Sequence, residues 1–426
     1  MGSFVIAAGA ASPSGITATR YFPCPGHSHL GTATEADVQT LIRDTYTLGA
    51  FFVRVYSNGR NGDSTGRSRV NTANGAHSVS IPASTSGAFE DTANTNSLVT
   101  TDLLAAVIEI TGSSGSVLIS GIAFVLTAST NSTILAGSGA TANNVSAGQT
   151  SDFYIAGVNS GSTTEANSQV TIRNTLTLAF MRIYVSTNTI NTGTTTYKSR
   201  IDGADGSQSL SIGFGATGSF EDTTNSDVIA NGSKLTYRIV TSGASGALGY
   251  NATHMRCVGS APLMAASQET TEVFLGDAYQ PIHGNIDDGN FDANTRITLR
   301  TAVRVNQLFV RVTAHGVTAG VTVYARQNGA STALSVVIAQ STTGTFETTS
   351  TTLDYVAADS VNYFIDHGGG GGSISISIIA AGVAVQPVVY GILVDWNGDG
   401  DFADDNESIT TRVLSARWRR GRDAES

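Results

Sequence analysis

The amino-acid sequence predicts an all-β protein of three tandem antiparallel β-sandwiches, jelly-roll-like, followed by a short C-terminal module. Two observations carry this prediction. Apolar and hydroxyl side chains alternate with a period of two, most regularly over residues 373–378, as in a half-buried strand. Clusters of Gly, Asn, Asp and Ser separate such segments at intervals of roughly ten residues, which is typical of sandwiches and barrels.

A long internal repeat gives the number of sandwiches. The arginine of a Phe-x-Arg motif occurs as Arg54, Arg182 and Arg311, and a Gly-x-Phe-Glu motif follows each of them. Solenoid repeats are shorter, about 20–50 residues, so each unit here has the size of a domain. We expect small, polar linkers near residues 128–150 and 260–272. The predicted domains are residues 1–130, 145–260 and 270–385, with the C-terminal module at 386–426.

Two further patterns bear on the fold. Residues 34–37 resemble a capped helix start, but their counterparts at 170–173 and 297–300 alternate as strands do. We therefore expect a strand in all three repeats, with a short turn of helix in the first. The phenylalanine of each Gly-x-Phe-Glu motif is expected to close the end of its sandwich core; these residues are Phe89, Phe220 and Phe346.

Composition and charge argue against several classes of protein. The 426 residues carry a net charge of −10 and only 13% charged residues. Nucleic-acid binders need clustered Lys and Arg, so no nucleic-acid partner is expected. The sequence has no apolar run long enough for a membrane helix, and residues 1–8 lack the features of a signal peptide, so neither a membrane partner nor Sec-type export is expected.

The sharpest local motif lies in the C-terminal module, whose loop resembles the first half of a calcium-binding loop. Oxygen-bearing side chains alternate along it, with a glycine at the sixth position. The Glu of a full EF-hand is displaced by one residue, so an acidic hairpin turn that binds nothing is the alternative. Calcium is thus the one cofactor that the sequence suggests, and its candidate ligands are Asp395, Asn397, Asp399, Asp401 and Glu407.

Two other groups of residues are of the types that bind metals or ligands. Cys24, His27 and His29 are too few for a zinc site and indicate a proline-rich surface loop instead. The repeated arginines, with the glutamates of the Gly-x-Phe-Glu motifs, could form a ligand clamp, but a structural Arg–carboxylate pair or an outward face is favoured. The glutamates are Glu90, Glu221 and Glu347. No catalytic constellation is visible in the sequence, so we expect no enzyme.

The order of the repeated motifs resembles β-sandwich modules that recur in structural proteins of tailed bacteriophages. It is most complete over residues 200–246, and residues 394–422 look like the opening of phage tail or virion proteins. The resemblance implies a virion component without enzymatic activity: a capsid decoration, tail or fibre subunit, assembled in the host cytoplasm. A bacterial extracellular filament or adhesin is the alternative. A carbohydrate-binding array is disfavoured because both tryptophans lie outside the repeats.

Such a protein would act through its surfaces. Tandem sandwiches would form a rod or an array of knobs, and we expect a homo-oligomer that contacts other virion proteins, with a host-surface glycan left open. Trp and Arg are enriched at interface hot spots, so the C-terminal module is the predicted docking end. Its candidate interface residues are Trp396, Arg417, Trp418, Arg419 and Arg420.

Overall fold

The all-β prediction is confirmed, and the described residues contain only short helical turns. Residues 1–385 form one compact unit and residues 386–426 a second one. The computed structural model describes residues 2–9, 15–24, 26–27, 31–128, 132–155, 157–158, 161–259, 263–282, 284–285, 292–300 and 302–384. All of these lie in the first unit.

The first repeat is a jelly roll of two facing sheets. One sheet has the order β3-β1-β11-β5-β8 with β9 beside β5, and the other has the order β2-β10-β6-β7 with β4 beside β10. Neighbouring strands are antiparallel, except for the two-residue pairing of β3 with β1. The strands are β1 Gly2–Gly9, β2 Arg20–Phe22, β3 Gly26–His27, β4 Thr40–Leu41, β5 Tyr46–Asn58, β6 Ser64–Val70, β7 Ala73–Ile81, β8 Gly87–Asp91, β9 Asn96–Leu98, β10 Leu103–Ile110 and β11 Val117–Ala128.

The second repeat has the same order of strands. Its sheets are β14-β12-β21-β16-β19 and β13-β20-β17-β18, with β15 beside β20. The strands are β12 Ser132–Ser146, β13 Thr150–Phe153, β14 Gly157–Val158, β15 Val170–Thr171, β16 Leu176–Asn188, β17 Thr194–Ile201, β18 Ala204–Gly213, β19 Gly218–Ile229, β20 Lys234–Thr241 and β21 Ala247–Gly259.

The third repeat completes the triplication. Its sheets are β24-β22-β32-β26-β29, with β30 beside β26, and β23-β31-β27-β28, with β25 beside β31. The strands are β22 Leu263–Phe274, β23 Ala278–Gln280, β24 Gly284–Asn285, β25 Ile297–Thr298, β26 Val303–His315, β27 Val321–Gln327, β28 Ala330–Ile338, β29 Gly344–Thr348, β30 Leu353–Tyr355, β31 Ser360–Asp366 and β32 Ile374–Ala384.

The period of two in the sequence becomes the inner and outer faces of strands. In β7, β18 and β28, every second side chain at the end of the strand is buried and most of the residues between them face solvent. Each sandwich has its own apolar core, and Phe89, Phe220 and Phe346 pack against these cores while remaining half-buried.

The helix-like segment occurs in all three repeats. A 3₁₀ turn occupies Glu35–Asp37 and another Glu165–Asn167, and a one-turn helix occupies Asp292–Thr295. A two-residue strand follows each turn. The strands expected at 170–173 and 297–300 are therefore confirmed over their first two residues, and the turn expected in the first repeat alone is present in every repeat.

The expected linkers are strands instead. Residues 128–150 are occupied mainly by β12, which pairs with β21, and residues 260–272 mainly by β22, which pairs with β32. Small polar residues suggest loops when read alone, but strand propensity depends strongly on the surrounding sheet. Here, a neighbouring strand satisfies the backbone groups of these segments, so each begins a sandwich rather than joining two of them.

The aspartate of the Phe-Glu-Asp motif stabilises the structure within its own repeat. Asp222, at the end of the motif, accepts hydrogen bonds from the backbone N–H of Ser209 (2.9 Å) and from the backbone N–H groups of Thr224 and Asn225. It thereby ties β19 to β18. Burial alone would raise the pKa of Asp222, but these hydrogen bonds and those of the Asn225 amide lower it to about 2. Asp91 makes the same contacts in the first repeat.

Candidate assembly interfaces

Glu90, Glu221 and Glu347 do pair with arginines, but the partners belong to other sandwiches. Glu221 of the second sandwich accepts two hydrogen bonds from Arg43 of the first, one of them from Nε at 2.7 Å. The equivalent glutamate of the third sandwich pairs with the second, and that of the first with the third. These pairs are Arg173–Glu347 and Arg300–Glu90.

The direction of these pairs is cyclic. In each pair, the glutamate lies next to the strand that carries the repeated arginine, and its partner arginine follows the two-residue strand of another sandwich. The first sandwich thus contacts the second, the second contacts the third, and the third contacts the first. A linear rod would lack the last contact, so the expected rod or array of knobs is wrong for residues 1–385.

Apolar contacts follow the same cycle. Phe52 of the first sandwich is 5% exposed and belongs to the apolar core of the third, while Phe309 of the third is 1% exposed and belongs to the core of the second. Phe180 occupies the equivalent place at the remaining interface, where the guanidinium of Arg43 lies 5.3 Å from its ring centroid. Phe52 and Phe309 therefore fill sites on the neighbouring sandwich, and Phe180 contacts an arginine of its neighbour.

The outer face of β32 shows how this packing changes burial. The alternation over residues 373–378 predicts a half-buried strand, yet Ser375 and Ser377 are 6% and 3% exposed. The hydroxyl of Ser377 donates to the backbone carbonyl of Asn167 at 3.2 Å, and Ile378 belongs to the apolar core of the second sandwich. The half-buried prediction is wrong because both serines are buried, and the second sandwich covers Ser377 and Ile378.

The repeated arginines also lie at these interfaces. Arg182 is 5% exposed, and burial is the main cause that lowers its pKa. It donates across the interface to the backbone carbonyl of Gln39 at 3.5 Å, and Arg311 donates to the Asn167 side chain at 2.9 Å. Arg54 is partly buried, and its pKa is lowered by burial and then by the charge of Arg296 in the third sandwich. A solvent-facing position is therefore wrong for these arginines. The favoured structural Arg–carboxylate pair forms instead between the repeated glutamates and arginines of other sandwiches.

The interface between the first and second sandwiches contains a buried histidine, His254, which is 4% exposed. Its Nε2 lies 3.2 Å from the backbone N–H of Leu41 in the first sandwich and 3.2 Å from Nη1 of Arg182. Burial, and then the charges of Arg182 and Arg43, hold the pKa of His254 well below its ordinary value.

The interface between the second and third sandwiches has different residues around the position that is equivalent to His254. The side-chain amide of Gln307 donates to Glu347 at 3.2 Å and to the backbone carbonyl of Thr171 at 3.4 Å. The strand register puts Ile378 where the other interface has His254, because Arg311 pairs with Ile378 as Arg182 pairs with His254. The interfaces are thus equivalent in position but not in chemistry.

The first long strands of the three repeats come together where the sandwiches meet. Strand β12 contacts both β1 and β22, and the short parallel strands β3, β14 and β24 contact one another. Every sandwich thus contributes the same elements to the contact, which gives residues 1–385 an approximate threefold arrangement.

Most of the predicted site residues fall on the C-terminal module. The candidate calcium ligands Asp395, Asn397, Asp399, Asp401 and Glu407 lie outside the described residues, as do the candidate interface residues Trp396, Arg417, Trp418, Arg419 and Arg420. Both the calcium site and the docking end therefore stay predictions.

Cys24 is not on a surface loop as expected. It is fully buried in the first core as a free thiol, and burial raises its pKa. Among the described residues, no three His, Cys, Asp or Glu side chains are grouped so that they could hold a metal ion. No helix within the described ranges is long and apolar enough to cross a membrane.

Sequence reasoning missed Arg43, Arg173 and Arg300. A signal was present, since each arginine directly follows a short apolar segment at the same place in its repeat. A repeated charge at a fixed position could have marked these residues as the missing partners of the repeated glutamates. The glutamate that pairs with each arginine could not be identified from the sequence, because it lies more than one repeat away.

Comparison with known proteins gives structural similarity only. No family model matches the chain, and no curated protein matches it. Its structure is similar to one from Sulfolobus turreted icosahedral virus, with 13% identity over 81% of each chain and a TM-score of 0.20. A structure described as the triple jelly roll fold and turret assembly in an archaeal virus gives 13% identity over 89% of this chain and 91% of that one, with a TM-score of 0.20.

A bacterial protein is also among the similar structures. Dimeric latent PorU from Porphyromonas gingivalis gives 9% identity over 88% of this chain and 33% of that chain, again with a TM-score of 0.20. Identities and TM-scores this low assign no function, so the interfaces described above carry the functional proposal.

Proposed function

We propose that the protein is a non-enzymatic structural component of a virion, which acts by assembling with copies of itself and with other virion proteins. The observation that carries this proposal is the closed cycle of interfaces between three jelly rolls of one chain. Jelly rolls are a common architecture of viral coat proteins. Fusing three of them makes a threefold-like building block that forms without any concentration-dependent assembly step.

The energetics of the interfaces support a load-carrying role. The glutamate and arginine of each pair keep no more than 34% side-chain exposure, and the guanidinium of Arg43 also lies 5.3 Å from the ring centroid of Phe180. Hydrogen-bonded ion pairs are directional, so they fix the relative orientation of their partners more strictly than apolar contact alone. Such a block holds its shape when neighbouring molecules pull on it, as a shell or tail requires.

Within a virion, we propose a capsid decoration, tail or fibre subunit of a tailed bacteriophage. The order of sequence motifs in the repeats supports this finer assignment. The edge strands β7, β18 and β28 occupy equivalent places in the three sandwiches. Hydroxyl groups face outward on β7 and β18, including Ser80 and Ser211, whereas Val337 of β28 is 70% exposed. Three equivalently placed edges suit repeated contacts with copies of the same chain or with a symmetric shell.

The test is to purify particles from lysates of cells that produce the protein, by density gradient, and to quantify the chain by mass spectrometry. A virion component is expected to band with the particles in a fixed copy number and to resist a wash in high salt. Antibody labelling then locates it on capsid, tail or fibre. Labelling of filaments on intact cells, with none on particles, would contradict the proposal and favour the adhesin alternative.

A further inference from the structure

The contacts of His254 define its protonation state. The guanidinium of Arg182 and the backbone N–H of Leu41 can only donate hydrogen bonds, and both point at Nε2 from 3.2 Å. Nε2 must therefore be the unprotonated nitrogen, which places the single ring proton on Nδ1. Nδ1 is buried and has no hydrogen-bond partner among the described residues.

The surroundings of His254 oppose a second proton. Arg182 approaches from the neighbouring strand β16, and Arg43 approaches from the first sandwich. The carboxylate that attracts Arg182, Glu221 on β19, is already engaged by Nε and Nη2 of Arg43. Tyr184, which also interacts with Arg182, is hydrogen-bonded to Asp37 of the first sandwich. A proton on Nε2 would meet two donors and two guanidinium charges, so it enters only when the interface separates.

We propose that His254 is a pH-sensitive latch, which holds the first and second sandwiches together when neutral and releases that interface when protonated. The latch is specific to this interface. The register places Gly121 opposite Arg54 and Ile378 opposite Arg311, where the second repeat has His254 opposite Arg182. Neither glycine nor isoleucine titrates, so acid would open the cycle at one interface out of three.

The direction and size of the effect follow from linkage. The pKa of His254 is lower in the folded protein than its unfolded value of 6.5. The neutral ring therefore contributes its full stabilisation above pH 6.5, and the contribution is lost progressively as the pH falls below that value. Each pH unit changes the opening equilibrium about tenfold, so at about pH 5 the interface opens about 30-fold more often than at neutral pH.

Hydrogen exchange of the Leu41 amide reports the opening directly, because this amide donates to His254. The protection factor, corrected for intrinsic exchange, is measured in the full chain between pH 7.5 and about pH 5, above the ordinary range of carboxylate titration. Wild type is expected to lose about 30-fold of its protection. His254→Gln keeps an acceptor that does not titrate, and its protection is expected to change less than about threefold.

A matched control uses the other buried histidine on a described strand. His77 lies in the first core, and the second repeat has Gln208 at the equivalent place, so His77→Gln is a substitution that the fold already contains. It is expected to keep the wild-type response at Leu41. An equal loss of protection in His254→Gln, or a loss under about threefold in wild type, would overturn the proposal.

The proposal is tested even if His254→Gln does not fold. Imidazole NMR of the wild type is expected to show the Nδ1–H tautomer of His254 at neutral pH, with protonation accompanied by loss of protection at Leu41. A ring that protonates at its ordinary pKa while the Leu41 amide stays protected would overturn the latch. Neither the hydrogen-exchange nor the NMR measurement depends on whether the protein is part of a virion.

Discussion

Replacing Glu221 by glutamine tests whether the Arg–Glu pairs hold the sandwiches together. The substitution keeps the shape of the side chain and removes its charge, which leaves Arg43 and the buried Arg182 without their counter-charge. Removing one partner of a fully buried pair costs about 3–5 kcal/mol. Arg43 and Glu221 keep 19% and 11% of their side-chain exposure, so solvent screening reduces the expected cost to about 2–3 kcal/mol.

The assay is urea unfolding of wild type, Glu221→Gln, Arg43→Gln and the double variant, combined with hydrogen exchange at the interface. We expect a coupling energy of about 1–3 kcal/mol between the two positions, as for residues in direct contact. The protection of the Leu41 amide should fall in all three variants, because this amide lies at the same interface.

Glu35→Gln is the matched control. Glu35 pairs with Arg69 inside the first sandwich, with side-chain exposures of 11% and 14% that are close to those of the interface pair. Its loss should destabilise the first sandwich but show no coupling energy with Arg43→Gln, which separates a pair inside one sandwich from the interface pair. If Glu221→Gln costs less than about 0.5 kcal/mol and shows no coupling with Arg43, the interface pair is not formed and the reasoning is refuted.

Three further outcomes are expected. Asp222→Ala should lower the free energy of unfolding by about 1.5–3 kcal/mol in urea titrations, because it removes the charged acceptor of three backbone N–H groups. The difference should shrink as the pH falls from 3.8 to about 2, because the lowered pKa of Asp222 stabilises the fold only while the carboxylate is charged. Phe309→Ala should cost about 3–5 kcal/mol, whereas Phe214→Ala, at a site 64% exposed, should cost under about 0.5 kcal/mol in the same titrations. Cys24 and Cys257 should react with a thiol reagent only after unfolding, since both are buried and burial raises the pKa of Cys257 to about 12; rapid labelling of the native protein would show that these cores are open.

The sequence predicts the fold well because its signals are local. Alternation along β7, β18 and β28 records which side chains face the core, and the repeated motifs mark equivalent strands. The Asp of the Phe-Glu-Asp motif even acts within its own repeat, where Asp222 binds the neighbouring strand. Patterns that arise within about ten residues, or that recur in every unit, can be interpreted without knowing how the units meet.

The interfaces could not be predicted in the same way because their contacts join distant residues. Arg43 and Glu221 are 178 positions apart, and nothing in either local pattern specifies the other. Pairs of opposite charge stabilise neighbouring strands, so the pattern favours a structural Arg–carboxylate pair, but it does not specify which repeat supplies the arginine. Since the repeats are alike, a contact within one repeat and a contact between two repeats leave the same periodic trace in the sequence.

Composition gives a wrong prediction for segments whose structure depends on neighbouring strands. The small polar residues of β12 and β22 favour linkers when taken alone, yet both segments are the strands that begin their sandwiches and meet the other repeats. Likewise, Ser375 and Ser377 suggest a solvent-facing row, but both are buried, and Ser377 donates to Asn167 of the second sandwich. A distant strand of the same sandwich determines the environment in the first case and a neighbouring sandwich contributes to it in the second, and neither is encoded locally.

Zero-length cross-linking of the Arg300→Lys variant tests the closed cycle most directly. Arg300 pairs with Glu90, which joins the third sandwich to the first, and the two side chains keep 34% and 20% exposure, enough for a carbodiimide to reach them. The chain has two other lysines, Lys198 and Lys234, so background coupling is low. A closed cycle predicts an amide between Glu90 and the lysine introduced by the substitution, found in the monomer band by mass spectrometry and missing from wild type. A folded variant that forms no such link, or forms it only between two chains, would contradict the cyclic arrangement.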